Sequence, residues 1–236
     1  NPGRYIRSDI VDKVLLRDLP SLYGIQDVQE LNSVFTTLAY HSGNEVSLET
    51  LSKASGVEKY LLKKYLEYLE AAFLIRIVHR IDDNAKKFQR ANFYKIYLTN
   101  PSLRSALFSP LQPTDEAVGS MVETAIYAQW MHRDWFTPYY ARWSKGEVDM
   151  VGLDEKKFKP QWALEIKWSN LYYDDPGKLK SLIQFCEVNG LQSALVTSID
   201  AEGVRQHKSL QLIFVPAAIY AYVVGVNTLQ QKSKKK

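Results

Sequence analysis

The sequence predicts an α/β chain, α+β overall, and three observations carry that prediction. Apolar residues recur at helical spacing from Val28 to Leu69, and short apolar runs of strand character follow from Phe73. Beyond a proline-marked boundary near 100–113, segments of helical and strand character alternate to the end of the chain. With 236 residues, 46% of them hydrophobic, there is enough apolar material for one large core or two small ones. That content excludes a disordered chain, and 11 Gly with 9 Pro are too few for a fibrous one. The strongest apolar run, Ile213 to Val226, is interrupted by Pro216 and Gly225 and falls short of the roughly 20 residues a membrane span needs. A single cysteine, Cys186, excludes a disulfide scaffold and a Cys-built zinc site. No secretory signal opens the chain, so the expectation is a soluble, cytoplasmic protein with no membrane partner. Its opening, Asn1-Pro2-Gly3 without Met, predicts a piece of something longer.

Charge adds little on its own. Lys and Arg total 30 against 26 Asp and Glu, but Lys232, Lys234, Lys235 and Lys236 supply the whole excess. The body is neutral, and the basic tail at 231–236 reads as a solvated end. Nucleic-acid binding must therefore be argued from local arrangement.

Residues 1–28 read as a helical linker: Asp9 to Leu16 has helical spacing, which Pro20, Tyr23 and Gly24 then break. The segment 29–112 reads as a winged helix-turn-helix. Leu31, Val34, Phe35 and Leu38 line one face of a first helix that ends near Ser42-Gly43. Ser47 is the expected N-cap of a second helix, which Ser55-Gly56 stops. A third starts near Glu58 and carries Leu61, Leu62, Tyr65, Leu66 and Leu69. Two strand-like runs, Phe73–Arg80 and Phe93–Leu98, then flank a tip containing Lys86, Lys87 and Arg90. Lys59, Lys63 and Lys64 on the third helix, with Lys86 and Lys87 in the wing, are the expected nucleic-acid contacts, to DNA above all. Between Glu30 and Asn100, however, ten basic residues face eight acidic ones, and winged helices also serve as spacers. Both readings stay open.

Residues 113–230 read as an α-β-β-β-α-β domain. A helix is expected over about 115–132 and strands near 137–143, 147–153 and 161–167. A helix at about 176–189, strands at 193–197 and 210–215, and a last helix from Pro216 complete the order. Four side chains in this domain stand out. Glu123 lies mid-helix among apolar neighbours; Asp149 follows Glu147 by two in a strand; Glu165 and Lys167 are two apart in the next. Residues two apart in a strand share a face. The simpler reading is the solvated face of an edge sheet, which explains each strand alone but not the coincidence of acids on adjacent strands and the preceding helix. Converging carboxylates can instead hold Mg²⁺ or Mn²⁺, with the Ile166 carbonyl as a further oxygen donor and a lysine to orient water.

The helix acid, the Glu147-Val148-Asp149 strand and Glu165-Ile166-Lys167, in that order, resemble the PD-(D/E)XK nuclease-like superfamily, whose fold is restriction-endonuclease-like. Together with Tyr5-Ile6, Asp9-Ile10-Val11, the winged helix, Gly119 to Glu123 and Trp168, nearly the whole chain resembles the carboxy-terminal part of a prokaryotic AAA+-type ATPase family. The resemblance implies Glu123, Asp149, Glu165 and Lys167 as the catalytic set, with Asp149, Glu165 and Glu123 as metal ligands and Glu147 beside them. It implies a Mg-dependent phosphodiesterase site on a DNA-directed module, whose partner is its own upstream ATPase domain. No G-x-x-x-x-G-K-[ST] loop occurs in this sequence, so ATP belongs to that upstream domain and not to this chain. The other reading is a catalytically silent module that binds nucleic acid or protein and regulates the ATPase. Gln184, on the helix after Glu165-Ile166-Lys167, is a candidate for lining the site. The four His residues are scattered, with no zinc spacing. Trp130, Trp135, Trp143, Trp162 and Trp168 all lie in this domain and read first as core packing, second as base-stacking surfaces.

Overall fold

A computed structural model describes residues 2–83, 93–133, 135–154 and 156–234. The chain is α+β, and it divides into two compact units: residues 1–77 with 92–124, and residues 78–91 with 125–236. The helix α7 (Ala117–Trp130) and the strand β2 (Ile75–Ile81) each contribute residues to both.

The first unit is built on α3 (Val28–Tyr40), β1 (Glu45–Val46), α4 (Leu48–Ser55), α5 (Lys59–Ala71), the start of β2 and β3 (Tyr94–Leu98). That is the helix and strand order of a winged helix. Its boundaries come from local chemistry. Asp27 caps α3 by accepting the Glu30 N–H, and Ser47 with Thr50 forms a reciprocal capping box on α4. Gly56, at φ +76°, ends α4 in the left-handed conformation that only glycine adopts cheaply. Leu31, Val34, Phe35, Leu38, Leu62, Leu66 and Leu69 form the core, as their spacing predicts.

Two segments differ from the sequence expectation. The N-terminal residues continue as helical turns past Pro20: α1 (Pro2–Tyr5), π-type turns over Ile6–Asp12 and Val14–Asp18, then α2 (Leu19–Tyr23), closed by Gly24 at φ +65°. Pro20 falls in the first turn of α2, where its missing N–H costs nothing, and Val11, Leu15 and Leu19 enter the core. Within the 100–113 boundary, Pro101–Leu107 forms α6, with Asn100 as N-cap and Pro101 as first residue. Leu103 and Ala106 are buried there, and the Arg104 guanidinium lies over the Tyr40 and Phe108 rings. The proline read as a breaker is the helix start.

In the second unit the sheet runs, in spatial order, from the end of β2 through β4 (Tyr139–Trp143), β5 (Gly146–Leu153), β6 (Pro160–Glu165), β7 (Ser193–Ser198) and β9 (Leu210–Pro216) to β8 (Gly203–His207). β4, β5 and β6 are antiparallel; β6, β7 and β9 are parallel. α8 (Leu171–Asp174), α9 (Lys180–Asn189) and α10 (Ala217–Lys234) complete the unit, so α7-β4-β5-β6-α9-β7 follows the predicted order. α9 buries Leu182, Ile183, Phe185 and Cys186 against Val148, Ala163, Val196 and Phe214. No described helix is long and apolar enough to cross a membrane.

Three of the five tryptophans pack on other rings. Trp130, Phe136 and Trp162 stack with ring centroids 4.6–5.5 Å apart, and Trp143 lies against Phe185. Beneath Trp162 the chain needs Gly152, where an added Cβ would clash with the indole ring. Gly152→Ala must push β5 and β6 apart or displace the ring. We expect a loss of about 1–3 kcal/mol by urea unfolding and a shift in tryptophan emission. An unchanged midpoint and spectrum would mean the Trp stack does not constrain this strand pair.

Candidate functional site

The centre of the candidate site lies where β5 and β6 leave their ladder. Met150 pairs with Leu164, and one step further along that register Asp149 stands opposite Glu165. Both carboxylates are buried, at 8% and 7% exposure. Directly opposed like charges destabilise an antiparallel pair, and burial sharpens the cost. Lys167 answers both: its ammonium lies 2.7 Å from Glu165 Oε1 and 3.5 Å from Asp149 Oδ2. Asp149 Oδ2 also accepts the Ile166 N–H at 2.8 Å, and the Asp149 carbonyl accepts from the Tyr127 hydroxyl at 2.6 Å.

Lys167 is not in the strand the sequence predicts for it, because β6 ends at Glu165. Its backbone is held instead by a side chain of the neighbouring strand. Thr197 Oγ1 accepts the Lys167 N–H at 2.8 Å and donates to the Lys167 carbonyl at 2.9 Å. Burial alone would lower the Lys167 pKa; the charges of Asp149 and Glu165 outweigh it and hold the pKa above the ordinary lysine value. The lysine is a fixed cation at neutral pH. The Tyr172 ring lies under the ammonium, 5.8 Å to its centroid.

Glu123 belongs to the first unit, where its carboxylate has other partners. Lys95 Nζ donates to Glu123 Oε1 at 2.9 Å, and the Tyr97 hydroxyl donates to the same oxygen at 2.5 Å. These residues come together because β3 is buried on both faces. Tyr94, Ile96 and Leu98 enter the core, while Lys95 and Tyr97 alternate to the other face and meet α7. Lys95 is 3% exposed and Tyr97 fully buried, so the carboxylate neutralises a buried ammonium.

The structure thus brings together Asp149, Glu165 and Lys167. Among the described residues no group of three or more His, Cys, Asp or Glu side chains is placed to hold a metal ion. Glu147 pairs at 3.0 Å with Arg142, its cross-strand neighbour on β4. Gln184 is exposed on α9, whose buried face is Leu182, Ile183, Phe185 and Cys186. Lys59 and Lys63 are exposed on α5, and Lys64 lies over the Tyr60 ring. Lys86 and Lys87 lie outside the described residues. Sequence reasoning missed Lys95, Tyr97, Tyr127 and Thr197. Lys95, a lone charge in the run Tyr94-Lys95-Ile96-Tyr97-Leu98, was the one visible signal.

A raised lysine pKa stabilises the fold below the unfolded value of 10.5 and ceases to do so as pH rises through the folded one. Lys167→Met keeps the aliphatic stem and removes the charge. We expect it to cost about 1–3 kcal/mol in urea unfolding, because two buried carboxylates lose their counter-charge. That gap between variant and wild type should be constant from neutral pH up to about 10 and close in stronger alkali. Equal stabilities at neutral pH would show that the pair contributes nothing.

Residues 1–115, which include the winged helix, match the model of a family described as Domain of unknown function (DUF8612). No curated protein and no solved structure matches the chain.

Proposed function

We propose that this chain is the DNA-directed module of a larger, cytoplasmic prokaryotic ATPase of the AAA+ type, carrying a Mg-dependent phosphodiesterase site of the PD-(D/E)XK kind. The observation that carries the reading is the trio of Asp149, Glu165 and Lys167, two opposed carboxylates spanned by one ammonium. Mg²⁺ is held by one or two carboxylates plus water and phosphate oxygens, so two acids suffice. The ammonium between them is a charge that Mg²⁺ would have to displace from at least one carboxylate. Asp149 and Glu165 would hold it, and Mg²⁺ so bound polarises a phosphodiester. Lys167 contributes a permanent positive charge for a phosphate oxygen or for orienting water. Glu123 is engaged instead with Lys95 and Tyr97 in the first unit. That engagement favours the second reading, a silent module that binds nucleic acid or protein and regulates the ATPase.

Calorimetry with Mg²⁺ and Mn²⁺ on the full chain, paired with cleavage of single-stranded, duplex and branched DNA, tests the site. Metal binding should raise the melting temperature, Asp149→Asn should abolish that shift, and Lys167→Ala should retain binding and lose cleavage. No metal binding at all would transfer the argument to the silent module.

The exposed face of α5 carries the DNA reading. Lys63→Glu with Lys64→Glu should weaken binding to every sequence alike and reduce the salt slope by about 2, near one unit per lost phosphate contact. Unchanged affinity in the double variant would remove α5 from the interface.

A further inference from the structure

We propose that Thr197 is the positioning residue of the Lys167 centre: its hydroxyl fastens the Lys167 backbone so that the ammonium reaches both carboxylates. The inference rests on the reading of Asp149, Glu165 and Lys167 as the working site, and it adds a residue that neither sequence pattern nor site chemistry indicates.

The argument begins with a ladder that stops early. β6 pairs in parallel with β7 through Leu164↔Leu195 and Glu165↔Val196, and β6 ends there. Beyond that point the polar groups of Lys167 have no strand partner of the usual kind. Thr197, the next residue of β7, supplies one with its side chain, accepting from the N–H and donating to the carbonyl of the same residue. A threonine hydroxyl can do both at once, having one donor and two lone pairs. Thr197 is fully buried, and its own backbone is anchored in the β7–β9 ladder opposite Val215.

A lysine side chain has four rotatable bonds, and from a loose loop its ammonium would spread over many positions. With N–H and C=O both held, its Cα is fixed at the strand exit, and the stem spans the distance to Glu165 Oε1 and Asp149 Oδ2. Asn170 makes a second fastening three residues on. Its Oδ1 accepts the N–H groups of Ile199, Asp200 and Ala201, joining the segment after β6 to the segment after β7. Side chains thus replace the ladder where the strands diverge, and Lys167 is held at the first of the two fastenings.

Thr197→Val preserves shape and volume but removes the hydroxyl; Thr197→Ser preserves the hydroxyl. The experiment is acylation of the metal-free full chain by a limiting amine-reactive ester, with Lys167 modification read by peptide mass spectrometry relative to exposed Lys178. In wild type Lys167 should react slowly. In Thr197→Val its relative rate should rise about tenfold, the size expected from losing one to two buried hydrogen bonds, and Thr197→Ser should restore the wild-type rate. A purely structural threonine would lower stability without changing the ratio at Lys167, and an unchanged ratio in folded Thr197→Val overturns the proposal. Should that variant not fold, amide exchange in the wild type decides. The Lys167 amide should be protected as well as those of the β6–β7 ladder, and rapid exchange there overturns the proposal equally. Both readouts need neither metal nor DNA. A chain that cleaves nothing therefore sinks the phosphodiesterase reading while the reactivity ratio still judges Thr197.

Discussion

The ammonium of Lys167 lies between the Asp149 and Glu165 carboxylates, and the central strands of the second unit depend on that arrangement. Two acids buried opposite each other on β5 and β6 are tolerable only with a counter-charge at hand. The requirement fixes register. Sliding β6 by one residue against β5 would send Glu165 to the face where apolar side chains pack, and Lys167 with it. It also explains why β6 stops at Glu165: Lys167 must turn back over the carboxylates, and a continued flat strand would aim its stem along the sheet normal. Thr197 and Asn170 then supply the hydrogen bonds that the interrupted ladder lacks.

The first unit meets the same problem with the signs exchanged. β3 is covered on both faces, so the alternation that sends Tyr94, Ile96 and Leu98 into one apolar layer necessarily buries Lys95 in the other. Glu123 and the Tyr97 hydroxyl complete that polar pocket. Gly43 lets the chain approach it. At φ +87° this residue has glycine's left-handed geometry, its N–H bonds to the Ile96 carbonyl at 2.8 Å, and an added Cβ would press on the Tyr97 ring at 3.2 Å. Ser42, next to it, bonds the Leu98 N–H and the Thr124 hydroxyl. The Ser42-Gly43 pair, legible as a helix stop, is therefore also part of the floor under a buried ion pair.

What the sequence made legible follows from range. Helices α3, α4 and α5 were readable because caps, glycine stops and 3.6-residue periodicity are local, and each act within one turn of the residue that signals them. The order of helices and strands in the second unit was readable for the same reason. Where one residue type has two local meanings, the reading failed: Pro20 and Pro101 end nothing, because each stands in a first helical turn. β8 was missed because it is short and its Val204 is largely exposed, leaving no apolar alternation to see. Asp149 and Glu165 were legible because strand alternation places them on neighbouring strands, and Lys167 because it follows Glu165 by two, although β6 ends before it. The partners of Glu123 were not, since Lys95 and Tyr97 lie far away in sequence and nothing near Glu123 announces them. Long-range polar pairing is set by topology.

The chemistry of the donors decides what kind of cation this centre could take. Cys186 is the one sulfur nucleophile of the chain, and burial, with the charges of Glu165 and Glu187 adding to it, pushes its thiol up to about 12. It stays protonated at neutral pH and offers no thiolate. The carboxylates of Asp149 and Glu165 are hard oxygen donors, of the kind magnesium and manganese prefer over soft ligands. With Lys167 charged, the trio carries a net charge of one negative unit, so a divalent cation entering it would meet attraction from both acids and repulsion from the lysine. Its binding would have to draw the ammonium away from at least one carboxylate. The lysine that spans the two carboxylates is thus their counter-ion, and any further cation would compete with it for the same oxygens.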